Sequence, residues 1–166
     1  GAVINPINVM LTPDEVRYVV EDSGAKVIIG SADKAEPLLD LKGSGGLNEV
    51  VLFGEQVTTG ASSFEDWLKT GADSFDVAQR GRDELAAICY TSGTTGHPKG
   101  AMHSHRNIVT NAHGTALMHV RTAGDVLVNS LPLPHVYGSV VFNSSFMYGM
   151  TLVIVPRFEE EAILSA

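Results

Sequence analysis

A short apolar run at 85–90, LAAICY, leads directly into TSGTTGHPKG at 91–100, and from Ser104 onward the residues fall into a helical pattern. The apolar run is too short for a helix but long enough for a buried strand, while Gly, Ser and Thr at such density neither hold a helix nor fill a core. Residues 85–107 therefore read as a buried strand, a polar glycine-rich loop and the start of a helix, and the rest of the fold must accommodate that unit. Glycines let backbone N–H groups approach an anion without a Cβ in the way. The hydroxyls of Thr91, Ser92, Thr94 and Thr95 and the ammonium of Lys99 would complete a cradle suited to phosphate. The run is not a Walker A sequence, which needs Gly immediately before the Lys where Pro98 stands, and no GxGxxG occurs. Without a ligand, the same composition describes a solvated loop between strand and helix.

The flanking sequence alternates helix with strand. Residues 1–8 are extended and carry Pro6. Thr12 then opens a helix as its N-cap, with Pro13 at the first helical position and Glu15 completing a capping box. Val16, Val19 and Val20 fall on one face, and the helix stops near Gly24. The pattern predicts a strand over 26–30, a second helix capped by Ser31 and running to about Leu41, a flexible turn at KGSGG and a strand over 49–53. Residues 54–81 are less regular, with a short helix over 64–69 capped by Ser62 or Ser63 and with Trp67 expected over the core. After the loop, a helix from Ser104 to about Val120 places Ile108, Ala112 and Ala116 on one stripe, and a strand follows over 126–130. LPLPHVYG at 131–138 is a Pro-rich turn that presents His135 ahead of a new helix; 151–155 and 158–166 read as a strand and the start of a helix. This alternation points to the α/β class, a layered fold with a mainly parallel sheet and flanking helices. No internal linker divides the chain, so 1–166 reads as one domain.

Composition limits the partners. With 166 residues, 44% of them apolar and 18% charged, the chain can bury a substantial core. A net charge of −8 and the lack of any basic run argue against nucleic acid or an anionic membrane as the main partner. An anionic ligand would have to be held by local donors against the overall field. Cys89 is the single cysteine and lies in the apolar strand, so it reads as a packed thiol, and a reducing, cytoplasmic setting fits. The opening GAVINPINVML does not resemble a secretory signal. The apolar tract at 136–155 is interrupted by Gly138, Asn143, Ser144, Ser145 and Gly149, which favours a buried helix and a strand over a transmembrane segment. His103 and His105 form an HxH pair with His97, His113 and His119 nearby, but no cluster of Cys, Asp or Glu accompanies them to suggest zinc.

TSGTTGHPKG after Tyr90 resembles the phosphate-binding signature of AMP-forming acyl-CoA synthetases and the wider adenylate-forming, AMP-binding superfamily. Three more segments share the resemblance in family order: GAVINPINVMLTPDEVRYVVEDSGAKVII before the loop, LPLPHVYG, which is similar to the family's Leu-Pro-x-x-His-x-x-Gly, and TLVIVPRFEEEAIL after it. They account for nearly the whole chain.

The resemblance implies an ATP-dependent acid–CoA ligase, such as a fatty-acid or related acyl-CoA synthetase. A carboxylate attacks the α-phosphate of Mg-ATP to give acyl-AMP and pyrophosphate, and the thiol of coenzyme A then displaces AMP. Thr91, Ser92, Gly93, Thr94, Thr95, Gly96 and Lys99 would hold the β- and γ-phosphates. Thr91 would also lie near Mg²⁺, although one hydroxyl is a poor site for so hard a cation. His135, Tyr137 and Gly138 match the segment beside the acyl pocket, whose wall would include Val140, Val141 and Phe142. For His135 the alternative is a partly buried ring packed under the proline turn. The apolar helix suits an aliphatic or aromatic acid, without fixing chain length. The family's segments for adenine, ribose and Mg²⁺, and its C-terminal domain with the catalytic lysine, are not represented. The resemblance therefore implies an incomplete part of the large N-terminal domain, inactive alone and without a complete catalytic set. A relative that adenylates a different carboxylate, or a non-catalytic nucleotide-binding module, is the alternative.

Overall fold

The computed structural model describes residues 1–43, 46–54, 57–91, 98–156 and 158–165. The chain divides into two compact units, one made of Gly1–Asn8, Gln79–Cys89 and Ala101–Ala166, the other of Val9–Ala78 and Tyr90–Gly100.

The second unit is built on helix α1, Pro13–Ser23. Thr12 Oγ1 accepts from the Glu15 N–H at 3.4 Å, and the Glu15 carboxylate accepts from the Thr12 N–H at 2.7 Å, so both halves of the capping box form. That backbone hydrogen bond holds the Glu15 carboxyl below its ordinary range. Gly24, at φ 64°, ends the helix in the left-handed conformation, with Ala25 N–H donating back to Val20 O at 3.1 Å. Val16, Val19 and Val20 are buried, as their spacing requires.

Strand β1, Val27–Gly30, follows, and then α2, Ala32–Ala35. The expected single helix to Leu41 breaks here. Residues Glu36–Leu41 form a 3₁₀ segment instead, because Pro37 has no N–H for an α-helical bond and its ring crowds the preceding turn. Ser31 occupies the N-cap position of α2, yet its hydroxyl engages Asp33 rather than a backbone N–H. Strand β2, Glu49–Leu52, pairs parallel with β1 on one side and with the two-residue β3, Ser62–Ser63, on the other. Leu38, Leu47, Val50, Val51 and Leu52 are fully buried around this sheet. Helix α3, Phe64–Lys69, is capped by Ser63, whose hydroxyl accepts from Asp66 N–H at 3.3 Å. Trp67, expected over the core, is 41% exposed, and α3 buries none of its residues.

The N-terminal segment lies parallel to strand β4, Leu85–Thr91, which belongs to the first unit as far as Cys89: Ile4 N–H donates to Ala86 O and Ile88 N–H to Ile4 O, both at 2.9 Å. Strand β5, Lys99–Ser104, forms a two-stranded sheet with β4. The sequence pattern did not anticipate β5, because Ala101, Met102 and His103 carry no apolar alternation and the strand depends on its pairing. Ser104 then caps helix α4, His105–Met118, in a second complete capping box with Asn107. Strands β6, Val126–Asn129, and β7, Thr151–Ile154, pair parallel across the crossover helix α5, Val136–Tyr148. Helices α4 and α5 pack together through small residues, with Ala112 and Ala116 buried on one and Gly138, Val141, Ser144 and Ser145 on the other. The buried Ser144 and Ser145 hydroxyls are satisfied by Val141 O at 3.0 and 2.8 Å. A short helix α6, Glu160–Leu164, comes last. The architecture is thus α/β with parallel strand pairs and flanking helices.

Candidate phosphate loop and histidine turn

The described part of the candidate phosphate site is its rim. Thr91 ends β4 and Lys99 begins β5, so the strand pair sets both anchors of the segment between them. Both side chains are exposed, and among the described residues Lys99 has no ion-pair partner. Ser92, Gly93, Thr94, Thr95 and Gly96 lie outside the described residues. The approach to Thr91 is fixed by two neighbours with different roles. Cys89 is half-buried, and burial pushes its thiol up from the ordinary range, which suits packing and not nucleophilic attack. Tyr90 donates its phenol proton to Asp22 Oδ2 at 2.6 Å. That pair bridges 68 residues of sequence, and no local signal in either segment announces it.

In the other unit, 131–138 is a tightly hydrogen-bonded entry to α5. Asn129 is buried at the end of β6; its side-chain amide donates to Leu131 O at 3.0 Å and its carbonyl accepts from Leu131 N–H at 3.3 Å. His135 N–H donates to Pro132 O at 2.9 Å. The imidazole is the N-cap of α5, its Nδ1 accepting from Tyr137 N–H at 3.2 Å. An accepting Nδ1 puts the proton of the neutral ring on Nε2, leaving that N–H as the free donor. His135 is exposed.

Gly138 is required by close approach. A Cβ there would come within 2.3 Å of Pro132 O and 3.2 Å of Leu131 O, both backbone atoms that cannot swing aside. The Leu-Pro-x-x-His-x-x-Gly spacing therefore has a mechanical basis: the proline carbonyl receives the histidine N–H and rests on the glycine. Asn129, which the sequence reading missed, locks the start of the same turn. Of the expected pocket wall, Tyr137 is 46% exposed, Val140 and Phe142 are half-buried and Val141 is buried.

No group of three or more His, Cys, Asp or Glu side chains that could hold a metal ion occurs among the described residues. Magnesium takes six oxygens, so Thr91 by itself does not make a site for it. His113 is engaged elsewhere, its Nδ1 2.6 Å from the Tyr148 hydroxyl.

The fold is of the α/β class, with parallel strand pairs, flanking helices and a histidine-capped crossover helix. The family model described as AMP-binding enzyme matches residues 1–165, and the chain belongs to that family. Among its relatives is the long-chain-fatty-acid–CoA ligase FadD13 of Mycobacterium tuberculosis, 34% identical over 170 residues, which cover 99% of this chain and 32% of the relative. The malonate–CoA ligase of Arabidopsis thaliana is 30% identical over 98% of this chain and 27% of its own length. In three dimensions the chain is similar to apo MatB from Rhodopseudomonas palustris, with a TM-score of 0.85 and 31% identity over 98% of this chain and 32% of that one. The chain thus spans about a third of the length of these relatives.

Proposed function

We propose that this chain carries the phosphate-binding segment and part of the acyl site of an AMP-forming acid–CoA ligase. The observation that supports this reading most strongly is the family match over residues 1–165, which includes all of TSGTTGHPKG, together with strand anchors at Thr91 and Lys99. In the first half-reaction, a carboxylate oxygen of the acid bonds to the α-phosphorus of ATP and the bond to the β-phosphate bridge breaks, giving acyl-AMP and pyrophosphate. In the second, the coenzyme A thiol attacks the acyl carbon, AMP leaves and the thiol proton is released. The chain's own contribution is electrostatic. Lys99, the hydroxyls of Thr91, Ser92, Thr94 and Thr95, and backbone N–H groups freed by Gly93 and Gly96 hold the β- and γ-phosphates in line for departure. Magnesium arrives with ATP, and Thr91 supplies at most one of its oxygens.

His135 offers its Nε2–H beside the acid, with Tyr137 next to it and Gly138 permitting the turn that places both. The acid itself stays open, because the relatives named above act on a long-chain fatty acid and on malonate. In this reading, 1–166 is an incomplete single domain, part of a larger cytoplasmic protein. No helix among the described residues is long and apolar enough to cross a membrane.

The test is carboxylate-dependent exchange of pyrophosphate into ATP by the full-length protein, over a panel of aliphatic, dicarboxylic and aromatic acids. Exchange that depends on one class of acid is expected and names the substrate. Exchange with amino acids alone would replace the acyl-CoA reading with another adenylating activity. Tight ATP binding without exchange on any acid would replace it with a non-catalytic nucleotide module.

A further inference from the structure

Asp22 stands in the last turn of α1, where no basic residue accompanies it and the negative end of the helix dipole disfavours a carboxylate. Its partner is the Tyr90 hydroxyl, 2.6 Å away. Burial in the first place, and the Asp22 carboxylate in the second, push the Tyr90 phenol far above its ordinary range, so it donates throughout neutral pH. The helix that carries Asp22 is a rigid platform. Its N-terminus is closed by a capping box and its C-terminus by Gly24; three valines bury its inner face, and Arg17 grips Asp40 Oδ1 and Pro37 O, both at 2.8 Å. Tyr90 is the residue immediately before Thr91, and its strand pairs with the one that begins at Lys99. The acidic residue at an unfavourable helix position thus holds the side chain that stands one residue before the end of β4.

We infer that the Tyr90–Asp22 hydrogen bond is a tether that positions Thr91 and the β4–β5 anchors for the nucleotide phosphates. Tyr90 and Asp22 are positioning residues and touch no reacting atom. The inference rests on reading 91–99 as the phosphate-holding segment and adds to it a control point on α1, in the same unit but far away in sequence. It also explains why the position before the loop holds a phenol instead of another aliphatic strand residue. A Phe would fill the same space but leave the end of the strand untied.

The experiment uses the full-length protein with Tyr90→Phe, Asp22→Asn and the double variant, measured by pyrophosphate exchange with separate titration of ATP and of the acid. Each single change should raise the KM for ATP about three- to tenfold, with the KM for the acid within about twofold of wild type. The double variant should lose no more than the larger single change, because both remove one bond. Tryptic cleavage between Lys99 and Gly100 in the absence of nucleotide should be faster in all three variants. A wild type that exchanges while the variants keep its KM for ATP and its cleavage rate overturns the tether alone. A fall in Tm that moves both KM values together makes the bond structural only, which also overturns it. A wild type that exchanges with no acid overturns the ligase reading and this inference with it.

Discussion

Val120 occupies a position where two other helices of this chain use glycine. Helices α1 and α5 end at Gly24 and Gly149, at φ 64° and 67°, each followed by an N–H that reaches back one turn and a half. After α4, Arg121 N–H makes the same bond to Ala116 O at 2.9 Å, but the left-handed residue is Val120 at φ 53°. A β-branched side chain there costs about 1–2 kcal/mol. Val120 is 81% exposed, so its removal forfeits little packing. Val120→Gly should raise the unfolding free energy by roughly 0.5–1 kcal/mol in urea titrations, after the extra freedom of glycine in the unfolded chain is deducted. Gly138→Ala should do the opposite and cost about 1–3 kcal/mol, since the clash falls on backbone oxygens. The cap that His135 forms can be separated from its proposed contact with the acid, because Asn is also a good cap. His135→Asn should keep α5 intact while altering the KM for the acid, whereas His135→Ala should also lose about 1 kcal/mol of stability. Equal acid KM values for wild type and His135→Asn would reduce the imidazole to a cap. For Lys99→Ala, loss of a charge-assisted bond of about 1.5–3 kcal/mol predicts a roughly ten- to hundredfold slower adenylation step in the full-length protein. Unchanged kinetics would return Lys99 to the solvent.

At the scale of elements, those announced by local chemistry were legible. Thr12, Pro13 and Glu15 defined the start of α1, and Ser104 the start of α4, because caps are made by neighbours within three residues. Elements that depend on distant partners were not. Strand β5 exists through β4, and the sequence showed only a mixed run between loop and helix. The second helix was read through Pro37, where the apolar spacing of Leu38 and Leu41 outweighed the missing N–H; both leucines are buried all the same, from a 3₁₀ segment. The short β3 was likewise invisible, because Ser62 joins the sheet through a polar contact. Glu49 Oε1 accepts from Lys42 Nζ at 2.8 Å and from Ser62 Oγ at 3.1 Å, tying β2 to β3. Lys42, then Ser62, lowers the Glu49 pKa against the opposing effect of burial. A depressed carboxyl contributes stability that is present above its unfolded value and lost as pH falls through the folded one. Glu49→Gln should therefore cost about 1 kcal/mol at pH 7, and the difference from wild type should shrink from about pH 4.5 downward. Urea midpoints measured across that range for both proteins would show it, and a pH-independent difference would assign the effect to packing.

At the scale of the molecule, the sequence carried the class of fold because helix–strand alternation is a property of the whole chain, and it carried the family because four segments lie in one order. It did not carry the grouping into two compact units, which interleaves 79–89 and 101–166 with the N-terminal segment while 90–100 goes with 9–78. The anchors Thr91 and Lys99 fall in one unit and the His135 turn in the other, so the residues proposed for the nucleotide and those proposed for the acid belong to different units. Substitutions should divide accordingly in the full-length protein: Lys99→Ala acting on ATP, His135→Asn on the acid, and their effects on the adenylation free energy adding when no network couples them. The chain alone is a different matter. It spans about a third of its relatives' length. Positioning of one reactant's phosphates supplies only part of a barrier reduction that also needs the second reactant held in line. The isolated 166-residue chain should therefore give no pyrophosphate exchange with any acid that the full-length protein accepts. Exchange by the short chain would mean that its own residues, or an assembly of its copies, complete the site, and a mixing experiment between Lys99→Ala and His135→Asn chains would tell these apart, since only an assembly that shares sites between copies could recover activity from the mixture.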